Sequence, residues 1–157
     1  MTPSKASAAR PPRPVVNPVI DSADALFRAA VESCRQHERV RRLIEKQCSD
    51  EEFASVAELC DICSKHLGDR TAAYEAAAAA GKGKNDEAIW HAANTLWHAS
   101  REYSRRHHSG DTISAKFKNK NEEAFGALTM EYELEASAVL ALRQTIAAYR
   151  KLRPEAE

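Results

Sequence analysis

Between Pro18 and Pro154 the chain has no proline, and only five glycines interrupt its 157 residues. Helix interiors tolerate both residues poorly, so their scarcity permits long helices and argues against a turn-rich β architecture. No strand-like alternation appears, and there is no internal repeat. No apolar run approaches the ~20 residues needed to cross a bilayer, and none near the start could serve as a secretory signal. The expectation is a cytoplasmic protein without a membrane partner. A dominant charge sign is also missing. With 23 basic residues against 23 acidic ones, whole-chain charge favours neither nucleic acid nor an acidic substrate, and any electrostatic function must be local.

Cysteine is sparse, at four residues. A chain of this length buries a core without cross-links, so the thiols are expected to be reduced, or ligands, rather than a disulfide framework. Gly81-Lys82-Gly83-Lys84 lacks the Walker pattern and reads as a linker. No Glu-x-x-His occurs anywhere, which excludes the di-iron arrangement of some helical bundles.

Five of the six prolines fall in residues 1–20 with three basic residues and no acid, so this segment reads as a disordered, Pro-rich tail. Residues 21–153 read as one all-α domain, an antiparallel four- to five-helix bundle with a long C-terminal helix. Helix 1 is expected over about Ala23–Cys48, capped by Asp21 or Ser22. Helix 2 is expected from the Ser49-x-x-Glu52 capping box to just before Gly68. An Ala-rich helix follows to about Ala80. The next, capped by Asn85 or Asp86, reaches His107 and presents Ile89, Trp90, Ala93, Leu96, Trp97 and Tyr103. The last carries Leu128, Tyr132, Val139, Leu142, Ile146 and Tyr149 at helical spacing as far as Leu152, with residues 112–120 open to helix or loop.

Two matched spacings, Cys34-x2-His37 and Cys60-x2-Cys63, face each other across the expected hairpin at Ser49. In that register Cys34 and His37 lie level with residues 64 and 61, so the four side chains can converge on one ion. A Cys3His set suits zinc in a closed structural site, and Cu(I) would also favour the thiolates. The competing reading makes the cysteines small core hydrophobes, which needs no cofactor.

Glu131 and Glu135 fall on the apolar stripe of the last helix, where an ionised carboxylate needs a partner. Arg41, Trp90 and Trp97 are the expected partners. His107 is expected to be too far away, because a turn near Gly110 would leave Glu131 ~15 Å further along the bundle.

The Arg101–His107 spacing is similar to the Arg-x4-6-His spacing of HEPN-type ribonucleases, which are also small and all-α. The resemblance covers these two residues and implies a catalytic base beside a phosphate-binding cation. On a regular helix the two point ~120° apart. Arg101, Arg105, Arg106, Lys116, Lys118 and Lys120 make one end of the bundle basic and could meet nucleic acid, although cations also simply suit a helix C-terminus.

The leading expectation is a non-catalytic bundle acting through protein contacts, as a homodimer on the Trp-bearing face or on part of the last helix. A metal-binding bundle centred on Cys34, His37, Cys60 and Cys63 is the alternative, and a HEPN-like ribonuclease using Arg101 and His107 is the third.

Overall fold

The computed structural model describes residues 17–81, 86–116 and 122–157. Four helices form the bundle: α1 (Pro18–Glu45), α2 (Asp50–Ala80), α3 (Glu87–Lys116) and α4 (Glu122–Leu152), followed by a 3-10 turn at Pro154–Ala156. The described residues contain no strand. α1 with α2 and α3 with α4 are two tight antiparallel hairpins, and each helix runs ~45 Å.

Helix ends follow local chemistry. Asn17 caps α1, its side chain accepting from the backbone N–H groups of Val19 and Ile20, and Pro18 takes the first helical position, where its missing N–H costs nothing. The helix therefore begins within the segment expected to be tail. α1 stops at Glu45 rather than Cys48, because Gln47 adopts φ 52° and the N–H groups of Gln47 and Cys48 turn back to Ile44 and Leu43. That pairing is a Schellman motif without the usual glycine. The Ser49–Glu52 capping box then starts α2.

Two expected breaks are absent. α2 runs through Gly68 to Gly81, so the expected second and third helices are one element. The ~1 kcal/mol that a mid-helix glycine costs is outweighed by burial of Leu67, Thr71 and Tyr74 on either side of it. α3 likewise runs through Gly110 to Lys116, and α4 begins at Glu122. The linker residues 82–85, together with Phe117, Lys118 and Lys120, lie outside the described residues. Asp86 caps α3 through the N–H groups of Ala88 and Ile89.

Leu26, Phe27, Leu67, Leu96 and Leu142 are fully buried, each stabilising the fold by roughly 1.5–3 kcal/mol. Three tyrosines are equally buried. Tyr74 donates to Asn94 Oδ1 (2.8 Å) and Tyr149 to Asp24 Oδ1 (2.6 Å), while the Tyr103 hydroxyl meets Cys60 Sγ at 3.8 Å. Arg153 also binds Asp24, at 2.7 Å, fastening the C-terminal end of α4 to α1. Arg41, Trp90 and Tyr132, all expected inward, are exposed. The Trp97 indole donates to the Thr71 carbonyl and is not a glutamate partner.

Candidate functional site

A chain of polar contacts sets the register between α2 and α3: Tyr74 with Asn94, Trp97 with the Thr71 carbonyl, and Ser104 with the Ser64 carbonyl. Continuing that register brings Asp61 opposite His107. Because α3 continues through Gly110 to Lys116 rather than reversing near Gly110, His107 also comes opposite Glu135 of α4. The expectation that His107 and this acid stay apart is thereby corrected. Four helices meet at one level, where they bring together His37, Asp61, His107 and Glu135.

His107 is the hub. Its Nδ1 lies 2.9 Å from Glu135 Oε1, and its Nε2 lies 2.6 Å from Asp61 Oδ1 and 3.7 Å from Asp111 Oδ2. His37 Nδ1 approaches the same Glu135 oxygen at 3.5 Å. Burial opposes charge on His107, but the Glu135 and Asp61 carboxylates outweigh it and raise the imidazole to about 9. Glu135 is only 6 % exposed; burial pushes its carboxyl up, and His107 and His37 bring it down to about 2. Asp111 is raised, first by burial and then by Asp61 beside it, with His107 pulling the other way. A surplus of negative charge therefore surrounds one imidazole.

Glu131, also buried, has Arg106 Nη1 at 3.8 Å, and Arg106 binds Glu102 as well. Both buried acids face cations of α3, neither of them the Arg41 or tryptophans expected from the sequence.

The Cys34, His37, Cys60 and Cys63 side chains lie near the same level but face different neighbours. Cys34 turns toward Arg143 of α4, Cys60 toward Tyr103 of α3, and Cys63 toward Glu32 of α1. The hairpin register matches expectation, with Ser33 Oγ donating to the Cys63 carbonyl, but the four ligand atoms do not all lie within 4.8 Å of one another. Burial pushes the Cys34 and Cys60 thiols up to about 11, partly offset by Arg143 and Tyr103 respectively, which disfavours the thiolate that metal ligation needs. Among the described residues, the group whose ligand atoms lie within 4.8 Å of one another is Asp61, His107 and Asp111.

Arg101 does not join His107. It is exposed and stacks over the Trp97 ring at 5.4 Å, while Arg105 and Arg106 are tied to Glu102. His107 instead borders a cleft of about 490 Å³ between α2 and α3, whose walls include Asp61, Ser64, Lys65, Ser104 and Asp111. Asp61 and Asp111 were not legible as site residues. The signal that finds them is helical phase carried through Gly110, which puts Asp111 one turn beyond His107 on the same face.

Comparison of the chain with protein-family models, curated proteins and solved structures finds no match. No helix among the described residues is long and apolar enough to cross a membrane.

Proposed function

We propose that the protein is a divalent-cation-binding helical bundle whose ion sits at the mouth of the α2–α3 cleft on Asp61, His107 and Asp111. The observation that carries this reading is the setting of His107. A buried carboxylate, Glu135, holds Nδ1, while Nε2 projects between two exposed carboxylates. An outer carboxylate of this kind fixes the tautomer and orientation of a metal-ligating histidine and raises its basicity. One proton on the imidazole leaves three surrounding carboxylates only partly compensated, and a divalent ion on Nε2 offsets them better. One nitrogen and two oxygens suit Zn(II) or Mn(II) over Cu(I), and the open cleft leaves room for water as a further ligand.

Cobalt(II) titrated into chelator-treated protein, followed by visible absorption and calorimetry, tests this. One ion per chain without intense sulfur-to-cobalt bands is expected. Asp111→Asn should weaken binding at least ~10-fold, and Glu135→Gln, which removes no ligand, by ~10–100-fold. Cys60→Ser should change nothing. Sulfur-to-cobalt bands lost in Cys60→Ser would move the ion to Cys34, His37, Cys60 and Cys63, and no bound ion would reduce the cluster to an ion-pair network.

A second reading, action through protein contacts, is supported by the outer face of α4. Met130 and Leu140 are 64 % and 60 % exposed there, and Ser137, Ala141, Gln144 and Ala148 are uncharged and exposed. A molecular mass that rises with concentration tests it.

A further inference from the structure

On the other side of the bundle, the seam between α1 and α4 opens into a groove of about 550 Å³. α1 lines it with Arg35, Arg39 and Arg42, and α4 with Arg143 and Arg150. Val31, Cys34 and Ile146 add an apolar floor, and Glu38 is the one acid in the lining. Five guanidiniums against one carboxylate is a strong local imbalance in a chain of zero formal charge.

The groove's own acid satisfies little of that charge. Glu38 is shared, accepting from Arg41, Arg42 and Arg143. Arg35 reaches Glu32 only at 3.6 Å and is 70 % exposed, and Arg39 donates to the neutral Gln36 amide. Arg150 pairs with Glu157 while lying over the Phe27 ring. Each guanidinium carries five N–H donors in a planar fork that matches phosphate oxygens, so most donors along the groove remain available.

The two rows are of similar length. Arg35 to Arg42 and Arg143 to Arg150 each span seven residues, or ~10 Å, and the antiparallel register staggers them: Arg143 lies beside Cys34 and Glu38 and Arg150 over Phe27, so Arg35, Arg39 and Arg143 share one stretch while Arg42 and Arg150 lie toward opposite ends. A short chain of phosphates can span the shared stretch at Arg35, Arg39 and Arg143. The lining contains no aromatic ring, so a single-stranded nucleic acid would find no surface on which to stack its bases. The volume falls within the range of small-molecule sites.

We propose that the α1–α4 groove binds a small organic di- or triphosphate, its phosphate chain held between Arg35 and Arg39 on one wall and Arg143 on the other, with Arg42 and Arg150 at the two ends of the groove. Its apolar part rests on Val31, Cys34 and Ile146.

Calorimetric titration of the full chain with inorganic tripolyphosphate and with adenosine triphosphate, at fixed ionic strength and with chelator present to silence the α2–α3 cleft, tests the proposal. Both ligands should bind once per chain, the nucleotide more tightly because it also uses the floor. Arg143→Gln should weaken both by ~10-fold, the size of a lost charge-assisted hydrogen-bonding group. Glu38→Gln should tighten both several-fold, because it releases three guanidiniums and removes the competing carboxylate. Misfolding cannot produce that gain, and circular dichroism with thermal melting checks that Arg143→Gln stays folded. Absence of saturable binding, or equal affinity in the wild type and the two variants, overturns the proposal. An affinity confined to a long oligonucleotide overturns it in favour of nucleic acid, and nucleotide binding no tighter than tripolyphosphate removes the floor from it.

Discussion

His107 holds its charge against its own burial, and that makes it the residue through which pH acts on the fold. Its imidazole is raised to about 9 by Glu135 and Asp61, so its contribution to stability is complete below the unfolded value near 6.5 and is lost as pH rises through about 9. Glu135, lowered to about 2, contributes fully above its unfolded value near 4.5 and loses that contribution as pH falls through about 2. Their shared interaction is thus strongest between about pH 4.5 and 6.5. The His107 shift corresponds to roughly 3 kcal/mol, counted once because both shifts report the same pair. Asp61, Asp111 and His37 face the same pair. Urea unfolding of chelator-treated, metal-free wild type should show stability falling between pH 6.5 and 9.5, and His107→Gln should flatten that limb. A wild-type profile level over this range would contradict the assignment. Helical phase in the sequence made the burial of Glu131 and Glu135 legible. Their partners were not, since pairing across helices depends on where the chain reverses, and one misplaced turn moves every pair by several residues.

Glycine is a poor guide to element boundaries in this chain, and the reason can be tested. A side chain at Gly68 would meet nothing within 4 Å, and the residue sits inside a regular helix. Gly68→Ala should therefore stabilise the protein by ~0.5–1 kcal/mol, raising the melting temperature by about 1–4 °C. Gly81 is the opposite case. A Cβ there would lie 2.6 Å from Val19 Cγ2 and 3.1 Å from the Ala77 carbonyl, and Val19 is a stiff, buried, β-branched residue. Gly81→Ala should destabilise by ~1–3 kcal/mol, as overpacking does. Thermal melts of the two variants side by side should move in opposite directions, and equal shifts would refute the packing account. The same contrast explains what the sequence revealed at this scale. Gly81 ends a helix where it was expected to, and the Ser49 box starts one. Gly68 and Gly110 were mistaken for stops because neighbouring buried residues override a local propensity worth only ~1 kcal/mol. The hairpin before Ser49 was legible, but the stop of α1 at Glu45 rather than Cys48 was not, because the left-handed Gln47 carries no glycine to announce it.

The whole molecule is two hairpins joined across a polar seam, and its four helices do not present equivalent outer faces. α2 exposes Leu59 and Ile62 but intersperses them with Glu51, Glu58, Lys65 and Asp69, so charges flank its apolar side chains. α4 exposes Ser137, Leu140, Ala141, Gln144 and Ala148 in succession, a strip of ~17 Å without a formal charge and with few side chains long enough to keep a neighbour away. A second copy can lay the same strip against it about a two-fold axis, pairing Leu140 with its own symmetry mate's surroundings and requiring no partner of different chemistry. A stable association buries on the order of 800 Å² per partner, more than the strip alone supplies, so Met130 at one end must be drawn in. Sedimentation equilibrium across a hundredfold concentration range should then show a monomer–dimer transition. Leu140→Glu, which places two like charges at the centre of the contact, should abolish it without altering helix content, whereas Trp90→Ala at the far end of α3 should leave it intact. A mass fixed at one chain throughout would mean that α4 merely tolerates an uncharged face, and would leave the two clefts as the sites through which this bundle acts.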